Sequence, residues 1–229
     1  MLRPRSLIIE AGATYHVGTR GVRRSPVFCD DLDRAWFLED LAKIVRDLGW
    51  RCHAYCLMTN HYHLLVRTPD PDLSLGMWRL NQRHALRINR RHGFTGHVFE
   101  GRFFAELVED QSHFVGLARY IDQNPVRAGL CRRAELWPWS GCAATLGLRP
   151  AAPFFDPTDV LASYSGDKNK ARQAYSLSLQ DFRRPGPGGR VPSPGLGTGP
   201  EGAPSRIRTC PRSARRGDAR AATPAGRRR

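Results

Sequence analysis

The alternation of apolar and polar positions divides the first 130 residues into seven elements. Between Ala13 and Arg20, Tyr15, Val17 and Thr19 fall on one side of an extended chain and His16 and Gly18 on the other, as in a strand. Gly21–Pro26 reads as a basic turn. Asp30 or Asp31 then caps a helix running to about Leu48, in which Phe37, Leu41, Ile44, Val45 and Leu48 recur at helical spacing, and Gly49 ends it. Trp50–Met58 and Tyr62–Arg67 read as two strands joined by Thr59-Asn60-His61. Ser74 caps a second helix reaching about His92, and a strand follows near Arg102–Glu109. Ser112 opens a third helix that ends before Asn124-Pro125, because a residue preceding proline avoids the helical region. This order predicts an α+β fold, a mostly antiparallel sheet with helices on one face in a ferredoxin-like sandwich.

Composition sets the limits of that domain. Residues 1–150 mix apolar, charged and aromatic residues as a folded domain does, and 151–182 reads as a loosely attached C-terminal segment. From Arg183 to Arg229 the chain is Arg, Pro, Gly, Ala and Ser with almost no large apolar side chain. Such a segment cannot bury enough surface to offset its ordering entropy, so a disordered tail is expected there. The formal charge of +15 divides along the same line. The tail holds twelve arginines against Glu201 and Asp218, and the rest of the chain has 24 basic and 19 acidic residues, a net of only +5. A basic tail suits phosphate contact, but a GC-rich extension of the gene would have the same composition, so no specific function is assigned to it. No stretch approaches the length of a membrane span and no apolar run near Met1 suits a signal peptide, so a cytoplasmic location without membrane partners is expected.

His61-Tyr62-His63 is the sharpest local signal. Residues two apart on a strand point the same way, so both imidazoles can reach one ion, and two ligands leave positions open for a phosphate oxygen. Further along, Tyr120 and Asn124 are four apart on one helical face, at the edge of the apolar stripe Phe114, Leu117, Ala118 and Ile121. A phenol there could attack phosphate and split strand transfer into two easier steps. Taken alone, Tyr120 also reads as a half-buried helix tyrosine and Asn124-Pro125 as a helix junction.

Three motifs and two flanking segments carry a resemblance. The run Cys52-His-Ala-Tyr-Cys-Leu-Met-Thr-Asn-His-Tyr-His-Leu-Leu-Val66 comes first, then Gly96-His-Val-Phe-Glu-Gly-Arg-Phe103. Ala118-Arg-Tyr-Ile-Asp-Gln-Asn-Pro-Val-Arg-Ala-Gly-Leu130 follows, and Tyr15–Arg20 and Trp137-Pro-Trp-Ser140 bracket the set. Over about residues 10–145 the chain resembles the REP-associated tyrosine transposases, part of the HUH single-strand transposases of insertion sequences. The resemblance implies that His61 and His63 bind a divalent metal, Mg²⁺ or Mn²⁺, with Asn124 completing the site. It implies that Tyr120 attacks single-stranded or hairpin-forming DNA, often a repeated palindrome, and leaves a 5′-phosphotyrosine. Val22 and Thr59 stand where the family usually has asparagine and proline.

Arginines supply the expected DNA contacts: Arg20, Arg23 and Arg24 at the basic turn, Arg102, and a stripe of Arg79, Arg83, Arg87 and Arg90 along the second helix. His113, seven residues before Tyr120 on the same face, is a neighbour of the site, whereas His53, His84, His92 and His97 read as structural or surface residues. A zinc site from Cys52, Cys56, His61 and His63 fits no common module spacing. Two other functions stay open: a catalytically inactive, domesticated hairpin-DNA-binding protein, and a phosphoesterase that activates water. A monomer and a homodimer are both compatible with the sequence.

Overall fold

A computed structural model describes residues 9–180 of the chain. The tail expected over 183–229 lies outside these residues.

Strand β1 spans Thr14–Arg20, helix α1 Asp31–Asp47, strands β2 and β3 Arg51–Leu57 and His61–Arg67, and helix α2 Leu73–His92. Strand β4 (Phe104–Leu107) and helix α3 (Gln111–Arg127) follow, then α4 (Cys142–Thr145), α5 (Thr158–Ala162) and α6 (Lys168–Gln180). The strands form one sheet in the order β2-β3-β1-β4, with every neighbouring pair antiparallel. The α+β class and the antiparallel sheet are those expected of a ferredoxin-like order.

The helices occupy both faces of that sheet rather than one. On the first face Tyr15, Val17, Tyr62, Leu64 and Val66 pack against Phe37, Leu41 and Ile44 of α1 and Leu73, Met77 and Leu80 of α2. On the second face Ala54, Cys56 and Leu65 meet Phe114, Leu117, Ala118 and Ile121 of α3. Two helices cannot cover both apolar faces of a four-stranded sheet, so the third helix takes the face they leave bare.

The segment 151–182, expected to attach loosely, is packed as far as residue 180: Phe154 and Phe155 join the first-face core and the residues after them join this second layer. Val160, Leu161, Ala171, Tyr175 and Leu179 are buried against α3 and its surroundings. The free edge of β2 is also covered. Leu57 N donates to Trp139 O at 2.8 Å, Trp137 Nε1 to Leu57 O at 3.0 Å, and Asp156 N to Cys52 O at 2.9 Å. Covering an edge strand satisfies backbone groups that would otherwise template aggregation.

Three helix boundaries differ from those read in the sequence. Asp72, not Ser74, occupies the cap position of α2, and its carboxylate accepts from the indole N–H of Trp50 at 2.8 Å. Helix α3 starts from the cap Asp110 and runs through Asn124 and Pro125 to Arg127. Proline lacks the N–H that Ile121 O would accept, but tertiary burial of Pro125 outweighs that lost bond. No described helix is long and apolar enough to cross a membrane.

Candidate active site

The site is built from one face of β1 and β3 and one face of α3. In β3 the alternation that buries Tyr62 and Leu64 against α1 and α2 turns His61 and His63 to the α3 side. Gly18 of β1 lies directly opposite His63, and Arg20 opposite His61. A Cβ on Gly18 would sit 2.3 Å from Tyr62 O and 2.8 Å from the Phe104 ring, so only glycine allows this close approach of three strands. Helix α3 crosses above and brings the Tyr120 ring to 5.6 Å from the His63 ring and 5.8 Å from that of His16. A cavity of about 310 Å³ is lined by Arg20, Met58, His61, His63, Tyr120, Asn124, Arg127 and Ala128. It brings together His61, His63, Tyr120, Asn124 and Arg20.

The imidazoles of the pair are held neutral. Burial, with the charge of Arg20 beside it, pushes His61 down to about 4. Burial also drives His63 well below its ordinary value, helped by His16, His61, Arg20 and Arg127. Neutral imidazole is the form that binds a metal. Both rings use Nδ1 elsewhere: His61 Nδ1 is 2.7 Å from Asn60 Oδ1, and His63 Nδ1 is 3.0 Å from His16 Nε2. Asn124 donates Nδ2 to Tyr120 O at 2.9 Å, and its carbonyl oxygen is the atom left to act as a ligand. Two imidazole nitrogens and one amide oxygen form a donor set that fits Mn²⁺ and tolerates Mg²⁺.

A sequence profile of the family described as transposase, IS200 like, matches residues 11–124, from the first strand to Asn124. No curated protein matches the chain. The solved structure of a REP-associated tyrosine transposase bound to a REP hairpin superposes with a TM-score of 0.53 at 19% identity, covering 66% of this chain and 92% of that one. Residues 11–124 form an IS200-like transposase domain.

The matched span ends just short of Arg127, the charged pocket residue that the sequence reading missed. Arg127 places its guanidinium over the Tyr120 ring at 4.9 Å from the centroid. The expected helix end before Asn124 hid it; once α3 continues, positions 120, 124 and 127 share a face. His16, Glu106 and Asn60 were also missed as partners of the histidine pair, although the expected alternation of β1 had placed His16 on the correct side.

The other basic residues are dispersed. Arg23 and Arg24 are exposed and both take left-handed backbone angles, φ 52° and 59°. Asn60 Nδ2 donates to Arg24 O at 3.0 Å and ties this turn to His61. Helix α2 lies across the sheet from the histidine pair. Of its stripe, Arg87 reaches the buried carboxylate of Asp40 at 3.1 Å and Arg83 lies 3.9 Å from it, so both help dock α1 on α2. Arg79 is half-buried and Arg90 exposed. Arg102 rims a cavity of about 1130 Å³ between α2 and residues 96–103 with the exposed Trp78, away from the histidine pair.

Cys52 and Cys56 do not converge with the pair as one ligand set among the described residues, although Cys56 lies cross-strand from His63. A bulge between Cys52 and Ala54 shifts the register, so Cys52 joins the first-face core and Cys56 the second. One other set of ligand-type side chains converges among the described residues, Cys29, Asp33 and His92. Its carboxylate is already committed to Arg91 at 2.5 Å, to His92 at 3.0 Å and to the Cys29 N–H at 2.8 Å. That is an ion-paired cap of α1, with a guanidinium opposing any bound cation. Buried His84, 2.7 Å from Val27 O, and His53, packed on Phe114, are structural as expected.

Proposed function

We propose that this chain nicks and rejoins single-stranded or hairpin-forming DNA through a 5′-phosphotyrosine on Tyr120, as its resemblance to the REP-associated tyrosine transposases implies. The observation that carries the reading is the convergence of Tyr120, from a helix on the second face, on the His61–His63 pair and Asn124 in one cavity. A DNA-binding protein that does not cut has no need of that convergence.

His61, His63 and Asn124 would hold the divalent cation, Mg²⁺ or Mn²⁺. When bound, that ion polarises the scissile phosphate and offsets the charge that develops on it. The chain's own residues do the rest. Tyr120 Oη attacks phosphorus and loses its proton to solvent. The bond to the 3′ oxygen breaks, that oxygen takes up a proton, and the 5′ phosphate remains on the tyrosine. Rejoining reverses the sequence, with a 3′ hydroxyl attacking and the phenol leaving. Arg20 and Arg127 place two guanidinium groups at the cavity, suited to hold the phosphate in line. Arg23 and Arg24, tethered by Asn60, would extend the contact along the backbone of the DNA, with Arg102, Arg79 and Arg90 as more distant contacts.

The test is incubation with labelled hairpin DNA and Mn²⁺, resolved on a denaturing gel. A covalent protein–DNA band that disappears in Tyr120→Phe is expected. Cleavage that survives the substitution would assign the chemistry to water, and binding without cleavage would leave only a DNA-binding protein.

A further inference from the structure

Glu106 and His16 are direct cross-strand neighbours on β4 and β1, and His63 stands diagonally beyond His16 on β3. The three side chains form a line. Glu106 Oε2 is 3.2 Å from His16 Nδ1, and His16 Nε2 is 3.0 Å from His63 Nδ1. His16 is fully buried. A fourth side chain joins at the far end: His113 Nε2 lies 3.4 Å from Glu106 Oε1, while His113 Nδ1 accepts the Glu109 N–H at 3.3 Å.

Proton counting along this line has one consistent solution for neutral rings. A carboxylate can only accept, so the single proton of His16 sits on Nδ1, facing Glu106. His16 Nε2 is then a lone pair and can only accept, so His63 must donate to it from Nδ1. The proton of His63 is thereby removed from Nε2, the nitrogen left for the cavity. His113 agrees with this count, since accepting at Nδ1 puts its own proton on Nε2, toward Glu106. His61 is set in the same way by a separate partner. Asn60 Nδ2 is used on Arg24 O, so its Oδ1 faces His61 and accepts the Nδ1 proton.

We propose that Glu106, acting through His16, is a positioning residue that locks His63 in the Nδ1–H tautomer and so leaves its Nε2 lone pair for the metal. The metal half of this statement rests on the function proposed above; the tautomer half does not. Partners of this kind orient a ligating imidazole and raise its basicity, and losing one commonly costs tenfold to a hundredfold in metal affinity.

The experiment uses the full-length, EDTA-treated protein labelled with ¹⁵N. Long-range ¹H–¹⁵N correlation at pH 7.5 reads each imidazole's tautomer without any metal. His63 and His16 are both expected as the Nδ1–H form. In Glu106→Gln the new amide can donate or accept, so a mixture of tautomers is expected at both rings. Mn²⁺ titration followed by electron paramagnetic resonance should then show about tenfold to a hundredfold weaker binding. Glu106 is partly exposed, so this variant should fold; His16→Phe, which keeps the ring volume, should weaken Mn²⁺ to a similar degree. A His63 proton on Nε2, a doubly protonated His16, or a Glu106→Gln protein with unchanged tautomers and Mn²⁺ affinity would each overturn the proposal. Wild-type protein with the Nδ1–H tautomer but no Mn²⁺ binding would instead refute the metal reading and leave the tautomer assignment standing.

Discussion

The Arg127 guanidinium lies over the ring of the tyrosine that faces the histidine pair, 4.9 Å from the Tyr120 centroid. Two helical turns separate the residues, and the contact exists only because α3 continues through Pro125. Removing this cation should slow formation of the covalent adduct by about a hundredfold to a thousandfold, the order lost when one charge-stabilising donor is deleted. Adduct formation by Arg127→Ala at saturating Mn²⁺, beside its Mn²⁺ affinity, is the measurement. An unchanged rate would reduce Arg127 to a packing partner of the ring.

Gly18 is the tightest point of the sheet around the site. In Gly18→Ala the added methyl meets the Tyr62 carbonyl and the Phe104 ring, so β1 must move from β3 beside His63. A loss of about 1–3 kcal/mol in unfolding free energy is expected, as for other overpacked positions. Urea titration measures it, and a midpoint equal to wild type would show that the strands part without cost.

Asp122 makes stability depend on pH from beneath α3. Its carboxyl is buried and accepts from Tyr175 Oη at 2.7 Å; burial pushes it up to about 7. A raised value favours the protonated form in the folded state. The stabilisation is therefore complete below about 4, the ordinary carboxyl value, and is lost as pH rises through about 7. Relative to Asp122→Asn, the wild type should lose about 2 kcal/mol between pH 5 and pH 8. His84 acts in the opposite sense. Burial lowers it to about 4, so its contribution is present above 6.5 and lost as pH falls toward 4. Denaturant titrations across pH 4–8 test both, and a flat difference curve for Asp122→Asn would exclude the first.

Helices α5 and α6 cover the outer side of α3, so a fragment ending at residue 150 should fail to fold cooperatively. Val160, Leu161, Tyr175 and Leu179 are each 6% exposed or less. At about 1.5–3 kcal/mol for each large side chain, their loss is comparable with the whole stability of a domain. Thermal melting followed by circular dichroism decides this. A fragment melting like the full chain would mean that the C-terminal helices merely rest on the domain.

Much of the architecture was legible because it is encoded locally. The cap at Asp30, the helical spacing of Phe37, Leu41 and Ile44, and the alternation of Tyr15, Val17 and Thr19 are properties of short segments. The C-terminal helices were less legible. Their apolar positions Val160, Leu161, Ala171, Tyr175 and Leu179 are sparse and gain meaning only once α3 offers a surface to cover. Proline misled at α3, where local preference argued for an end and burial of Asn124 and Pro125 carried the helix onward.

The sequence by itself determined that His61 and His63 share one side of a strand and that Tyr120 and Asn124 share one side of a helix. Both are consequences of backbone periodicity, 2.0 and 3.6 residues, and need no knowledge of the fold. Only the tertiary structure decided that these two sides face each other and that Glu106 reaches His63 through His16. Those relations depend on strand register and on which sheet face α3 covers. They are set by contacts between segments 40 to 100 residues apart, and no local pattern in the chain records them.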